Sequence, residues 1–226
     1  MQDNALAVAW LRGFARAVEA DEDRLTALDS AIGDGDHGVN MRRGTSHVHR
    51  MLLRDGPSAT MGELLDAAGR LLRTHVGGAA GALYGSTFQA MGAALPDGRA
   101  GLTLLGDALQ EGLTAVVRLG AAAPGDKTMV DAYAPAVAAF REACGHGRSL
   151  GEAATAAAEA AAAGARSTVS MQARKGRASY LGYRSIGHLD PGAVSTEMLF
   201  RALAEEITNG PEPVLSYGRI GCLPGV

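Results

Sequence analysis

Three aspartates fall within eight residues of glycine-rich chain: Asp29, Asp34 and Asp36, in the run Leu28-Asp-Ser-Ala-Ile-Gly-Asp-Gly-Asp-His-Gly-Val-Asn40. Residues spaced i, i+5 and i+7 do not share one face of a helix, so the three carboxylates can converge only where the chain turns. Gly33, Gly35 and Gly38 permit the positive φ angles of such a turn. Converged carboxylates repel one another unless a cation sits among them. Hard oxygen donors suit Mg²⁺ or Ca²⁺ rather than zinc, and Mg²⁺ typically lies between a few carboxylates and the phosphates of a substrate. The other reading of the same residues is an acidic capping turn, with Asp34 or Asp36 capping a helix that starts near Val39.

Three better-known signatures lie close by and fail on physical grounds. An EF-hand counted from Asp34 places Thr45 at its twelfth position, where a bidentate Glu is required. Gly33-x-Gly35-x-x-Gly38 has the spacing of a dinucleotide fingerprint but follows a helical pattern, and its variable positions are acids that would repel a bare pyrophosphate. The run Gly120 to Thr128, with Gly125-Asp-Lys-Thr at its end, resembles a phosphate-binding loop but also follows a helix. Glycine turns can still take phosphate here. Val76-Gly-Gly-Ala-Ala-Gly81 sits just before a helix expected to begin near Ala82, and a helix N-terminus with side-chain-free amides is an anion site. A tight interhelical turn accounts for these residues equally well. Lys127 and Lys175 are the only lysines among 21 basic residues, and both fall in candidate loops.

Positioning such loops falls to helices. Apolar residues recur at three- and four-residue intervals over Asn4–Leu28, Val39–Leu53, Ser58–His75, Ala82–Ala94, Gly101–Leu119, Met129–Ala143, Ser149–Gly164 and Ser195–Thr208. Glycine and proline punctuate the breaks. No segment alternates with period two, so the fold class expected is all-α, with eight helices over 1–210 and an extended tail over 211–226. Aromatic residues are only 4%, against 31 glycines and many alanines, which favours closely packed helices. Between Arg166 and Pro191 lies a long, poorly periodic stretch bearing Arg174, Lys175, Arg177 and Arg184, the length and composition of a binding loop or lid.

The composition excludes several classes. A net charge of -3 gives no general pull toward nucleic acid or anionic membrane. Charges at Arg12, Arg16 and Glu19 interrupt any signal-peptide apolar core, and no run is long enough to span a bilayer. Cys144 and Cys222 are too few for a disulfide framework, which fits a reducing, cytoplasmic compartment.

Taken together, four runs resemble one family. They are Leu28–Asn40, Val76–Gly85, Gly125-Asp-Lys-Thr-Met-Val-Asp131, and Ala173-Arg-Lys-Gly-Arg-Ala-Ser-Tyr-Leu-Gly182 through Gly187-His-Leu-Asp-Pro-Gly192. In order and spacing they are similar to the nucleotide-binding subunit, DhaL, of dihydroxyacetone kinases, over nearly the whole chain. The resemblance implies a closed antiparallel barrel of eight helices, with ADP or ATP and two Mg²⁺ at one end. It implies that Asp29, Asp34 and Asp36 hold the metals, and that His37, Gly38, Val39 and Asn40 contact the phosphates together with Gly78, Ala79 and Ala80. Gly120 and Met129 match positions around adenine, and Arg177, Asp190 and Pro191 match the loop that closes on the nucleotide, Arg177 assisting transfer. One departure is Ala80, where the family commonly carries Ser, so one hydroxyl-to-phosphate hydrogen bond is missing. Nothing in the chain resembles the family domain that captures dihydroxyacetone, so a dihydroxyacetone-binding partner subunit is expected. Alternatives kept open are another ketose, a polyol or a fatty acid as acceptor, or a non-catalytic regulatory module. Open too are recharging of ADP by a phosphocarrier protein of the phosphotransferase system against exchange for ATP, and pairing into a homodimer.

Overall fold

The computed structural model describes residues 3–56, 58–95 and 101–209. Among them are nine α-helices and no strand: α1 (Asp3–Ala20), α2 (Glu22–Ile32), α3 (His37–Asp55), α4 (Met61–His75), α5 (Gly78–Ala93), α6 (Leu102–Gly120), α7 (Val130–Gly145), α8 (Leu150–Ser167) and α9 (Pro191–Asn209). Two 3₁₀ segments, Thr168–Ser170 and Arg177–Ser185, lie between α8 and α9. The all-α expectation holds, with three corrections to the elements. The stretch expected as one helix over 4–28 is two, broken at Asp21, and its second half runs on to Ile32. Asp21 and the acids Glu22 and Asp23 favour a helix start, which periodicity alone does not register. Helix α5 begins at Gly78 rather than Ala82, and α9 at Pro191 rather than Ser195, a proline at the first helical position being pre-set for it. The proposed tail over 211–226 lies outside the described residues.

Successive helices from α3 to α9 pack on their neighbours, and α1 lies against both α9 and α3. The core they enclose is built on Trp10, Phe14, Tyr84 and Phe88, all fully buried, with the Trp10 indole N–H donating to the Leu199 carbonyl at 2.9 Å. The alanine-rich α8 earns its composition by proximity. Ala153, Ala154, Ala157, Ala161 and Ala165 are buried along one stripe, and a Cβ on Gly164 would come within 2.1 Å of the Asp131 carbonyl of α7. Larger side chains there would push α7 off α8, moving the segment that starts at Met129. Ser149 and Glu152 form a capping box at the start of α8, as do Thr60 and Glu63 at the start of α4.

Helices α3, α5, α7 and α9 all begin at one end of the bundle, where His37, Gly78, Val130 and Pro191 line a single cavity of about 490 Å³. Four N-termini converging there supply a concentration of free N–H groups and positive helix-dipole ends. The end of the fold is thus electrostatically prepared for an anion before any side chain is considered.

Candidate active site

The turn from Gly33 to Asp36 joins the C-terminus of α2 to the N-terminus of α3, and it brings the three acids together. Asp29, Asp34 and Asp36 each present a carboxylate oxygen within 4.8 Å of the others. Of the glycines expected to bend this turn, only Gly35 has a positive φ, at 74°. Gly33 and Gly38 serve close approach instead: a Cβ on Gly33 would meet Asp29 Oδ1 at 2.2 Å, and one on Gly38 the Glu22 carbonyl at 2.1 Å. Oδ2 of Asp29 accepts from the backbone N–H groups of Asp36 (2.9 Å) and His37 (3.1 Å), so this carboxylate also fastens the turn. Neither Asp34 nor Asp36 makes a capping hydrogen bond to α3, which removes the capping-turn reading. Oxygen donors at this separation around a shared opening fit a hard divalent cation.

Across the cavity stands the Gly77–Ala80 turn. Gly77 and Gly78 have φ of 81° and 56°, conformations that a side chain would strain, and they aim the first amides of α5 at the opening. Arg43 fixes this turn. Its guanidinium donates to the carbonyls of His75 (2.7 Å) and Val76 (3.0 Å) at the end of α4, and to Asn40 Oδ1 (2.7 Å) on α3. Arg43 therefore ties the first turn of α3, just after the acidic turn, to the chain entering the glycine turn. Sequence reasoning missed Arg43, since nothing distinguishes it from the other arginines until α3 and α4 are paired.

Asp29, Asp34, Asp36, His37, Asn40, Gly78, Ala79, Ala80, Gly120, Met129, Arg177, Asp190 and Pro191 all line the cavity, whereas Gly38 and Val39 do not. Gly38 is pressed against α2, and the Val39 side chain is exposed. His37 lines it only in part. Its ring turns inward, with Nε2 3.0 Å from Ser195 Oγ, which in turn lies 2.7 Å from the Tyr84 hydroxyl and donates to the Gly192 carbonyl. These bonds are all satisfied when His37 carries its proton on Nε2. Burial lowers its pKa, against the pull of Asp29 and Asp36, so the ring is neutral at neutral pH. At the far end Leu83, Val116 and Leu119 provide an apolar wall beside Gly120 and Met129, suited to a planar base.

The basic loop is a folded unit with a closed neck. Gly187 N–H donates to the Val169 carbonyl at 2.7 Å, and the buried Lys127 ammonium donates to the Thr168 carbonyl (2.5 Å) and to that of His188. One lysine on the Gly125–Met129 turn thus clasps both stems of the loop. Asp131 shapes that turn by accepting from Gly125 N–H (2.5 Å) and Thr128 N–H (2.8 Å). Within the loop, Ile32 of α2 packs with Ala173, Ala178 and Leu181. Arg177 opens the longer 3₁₀ segment and reaches Asp34 Oδ2 at 3.2 Å. That pair is solvent-exposed and contributes at most about 1 kcal/mol, so a more highly charged partner can readily take Arg177 from it.

Asp190, beside the clasp, caps α9 by accepting from Ala193 N–H at 2.7 Å. Burial raises its pKa to about 7, opposed by the Ala193 hydrogen bond and by Lys127, and reinforced by Asp131 and Asp29. The folded chain therefore keeps a proton there that the unfolded chain releases. Stability from this group is full at acid pH and is lost as pH rises through about 7. In the metal-free chain, Asp190→Asn should flatten the decline in melting temperature between about pH 4 and pH 7. A decline as steep as the parent's would place the titration elsewhere.

Comparison with known proteins places the chain in a family. The DAK2 domain model matches residues 31–205. The ADP-binding subunit DhaL of the PEP-dependent dihydroxyacetone kinase of Escherichia coli K12 is 43% identical over 199 residues, 87% of this chain and 94% of that one. The D-erythrulose kinase of Mycolicibacterium smegmatis is 36% identical over 199 residues, covering 86% of this chain but 34% of the enzyme. The crystal structure of the C. freundii dihydroxyacetone kinase in complex with AMP-PNP and Mg²⁺ superposes with a TM-score of 0.71 at 29% identity, over 89% of this chain and 34% of that one. A match of this extent, over the helices that carry the acidic and glycine turns, means that the chain belongs to the DAK2 domain family and groups with its DhaL subunits.

Proposed function

We propose that this chain is the nucleotide-binding half of a two-part dihydroxyacetone kinase, and that it holds Mg²⁺-ADP or Mg²⁺-ATP in the cavity at the end of the bundle. The observation that carries the reading is the placement of three converged carboxylates and four helix N-termini on one opening. Charge arithmetic supports two Mg²⁺ ions: about -3 from the aspartates and about -4 from ATP need roughly +4 between them to share the pocket. Asp29, Asp34 and Asp36 would hold the metals, whose chemistry is to neutralise charge on the phosphoryl oxygens. The amides of Gly78 to Ala80 and the N-terminus of α3 orient the phosphates, and Asn40 is held in place by Arg43. Arg177 transfers its charge from Asp34 to the phosphoryl group as that group moves, and the clasped loop excludes water. The return of α9 onto α1 supports a closed antiparallel barrel. Residues 1–210 form one domain with 211–226 as its tail, working in the cytoplasm; among the described residues no helix is long and apolar enough to cross a membrane.

The acceptor hydroxyl comes from outside. The chain spans about a third of the matched single-chain kinases, and its match over 94% of a relative named as an ADP-binding subunit supports a separate subunit that holds dihydroxyacetone. A different ketose is favoured as the alternative acceptor by the erythrulose kinase among the relatives. The PEP-dependence in the name of the E. coli relative supports recharging of bound ADP by a phosphocarrier protein. The test is turnover of dihydroxyacetone and erythrulose by the chain alone, with its partner subunit, and with partner plus either ATP or phosphoenolpyruvate and carrier components. The lone chain should be inactive with every donor, and addition of the partner should start the reaction. Turnover by the lone chain, free of contaminating kinase, would overturn the division of labour.

A further inference from the structure

Helices α4, α5 and α6 border a second cavity, a groove of about 510 Å³ that the nucleotide reading leaves unused. Its polar lining is made of groups that can donate hydrogen bonds: the guanidinium groups of Arg73 on α4 and Arg118 on α6, and the Ser86 hydroxyl and Gln89 amide of α5. Among the described residues no acid lines it. Arg16, Arg42, Arg70 and Arg141 each hold a carboxylate, whereas neither Arg73 nor Arg118 forms an ion pair among the described residues. Arg73 is held ready all the same. Its Nη2 donates to Ser86 Oγ at 2.9 Å, which leaves the proton of that hydroxyl for a ligand. The Gln89 amide lies 3.5 Å from Asp66, which stands outside the lining and whose charge is answered by Arg70. Both arginines lie in the last turn of their helices, where the dipole favours a cation, but the dipole does not require that the two open on one groove.

We propose that this groove binds a small phosphomonoester dianion. Two positive charges match its two negative ones, and three phosphate oxygens match two guanidinium forks and a hydroxyl. A carboxylate, with one charge and two oxygens, would leave one arginine unanswered. The space has the size of a small-molecule site. One wall leads to the nucleotide. Leu119 lines both this groove and the apolar end of the larger cavity, so its side chain forms part of the partition between them. An anion that draws Arg73 and Arg118 together across α5 holds α6 against α5 and keeps Leu119 in place at the base end. Its binding therefore slows nucleotide release. The groove stands on its own geometry, and the coupling rests on the nucleotide reading proposed above.

The test follows inorganic phosphate by ³¹P line broadening on the full-length chain saturated with Mg²⁺-ADP, so that the larger cavity is filled, at constant ionic strength. Broadening should saturate at one phosphate per chain, and glycerol phosphate should displace it. The double variant Arg73→Gln/Arg118→Gln should bind phosphate about tenfold more weakly or worse, and Arg118→Gln alone about threefold. The Mg²⁺-ADP-dependent rise in melting temperature should stay unchanged in both, showing that the fold and the larger cavity are intact. Phosphate should slow ADP release from the parent about twofold or more, and from the double variant not at all. Saturable broadening of equal strength in the double variant would overturn the site. So would broadening that rises linearly in the parent, the mark of an adventitious ion only. Phosphate binding lost in the double variant, with ADP release from the parent unchanged by phosphate, would uphold the site and overturn the coupling through Leu119. A chain that binds no Mg²⁺-ADP would sink the nucleotide reading, and the difference in phosphate binding between parent and double variant would still decide the groove.

Discussion

Replacing Asp34 or Asp36 with alanine is expected to abolish the stabilisation of the chain by Mg²⁺-ADP. A ligand present at a hundredfold over its dissociation constant adds about 2.7 kcal/mol to the folded state, which for a chain of this length corresponds to roughly 5–10 °C in melting temperature. The parent should show that rise, and chelation of Mg²⁺ should erase it. Either variant should melt near the nucleotide-free parent whether or not Mg²⁺-ADP is present, because neither side chain fastens the turn. Asp29 differs. Its Oδ2 holds the amides of Asp36 and His37, so Asp29→Ala loosens the start of α3 as well as removing an oxygen donor. Asp29→Ala should therefore lower the melting temperature even without ligand, whereas Asp34→Ala and Asp36→Ala should not. Calorimetry that finds undiminished nucleotide affinity in both Asp34→Ala and Asp36→Ala would remove the metals from this turn.

The acidic run was readable from the sequence because it is local: three carboxylates and the glycine that bends the chain, Gly35, lie within one short segment. The helices were readable because each buries one stripe, although periodicity misplaced the starts of α5 and α9. There glycine and proline belong to the first turn of the helix rather than to the loop before it. What was not readable is whatever depends on pairing across the bundle. Arg43 binds the end of α4, Lys127 clasps residues 41 and 61 positions away, and Ser195 receives His37 from across the bundle. Each is an ordinary polar residue until its distant partner is known. The same limit applied to Gly38, matched by resemblance to a phosphate contact: that a side chain there would also collide with the Glu22 carbonyl of α2 is shown only by the fold. The basic loop was visible as a charge pattern, but its closed neck required the fold.

Arg177→Ala should lower the rate of transfer by about a thousandfold, the scale on which an arginine placed over a transferring phosphoryl group acts. The reason lies in how loosely Arg177 is held. Its side chain is largely exposed, and its ion pair with Asp34 is worth little in water. Removing it should therefore leave the melting temperature of the nucleotide-free chain within about 4 °C of the parent. Arg177→Lys should not restore the rate, because an ammonium lacks the planar fork that spans two phosphoryl oxygens. Nucleotide retention should weaken as well, by less than the rate, since Arg177 adds most where charge shifts during transfer. Hydrogen exchange separates this role from a surface charge. In the parent, Mg²⁺-nucleotide should slow exchange between Arg174 and Ile186, while the neck at Val169 and Gly187, already closed by its own hydrogen bond, should change little. In Arg177→Ala the slowing over 174–186 should be lost. Equal protection of this segment with and without nucleotide in the parent, together with a rate within twofold of it in the variant, would return Arg177 to the surface and leave phosphoryl transfer to the metals and the amides of α3 and α5.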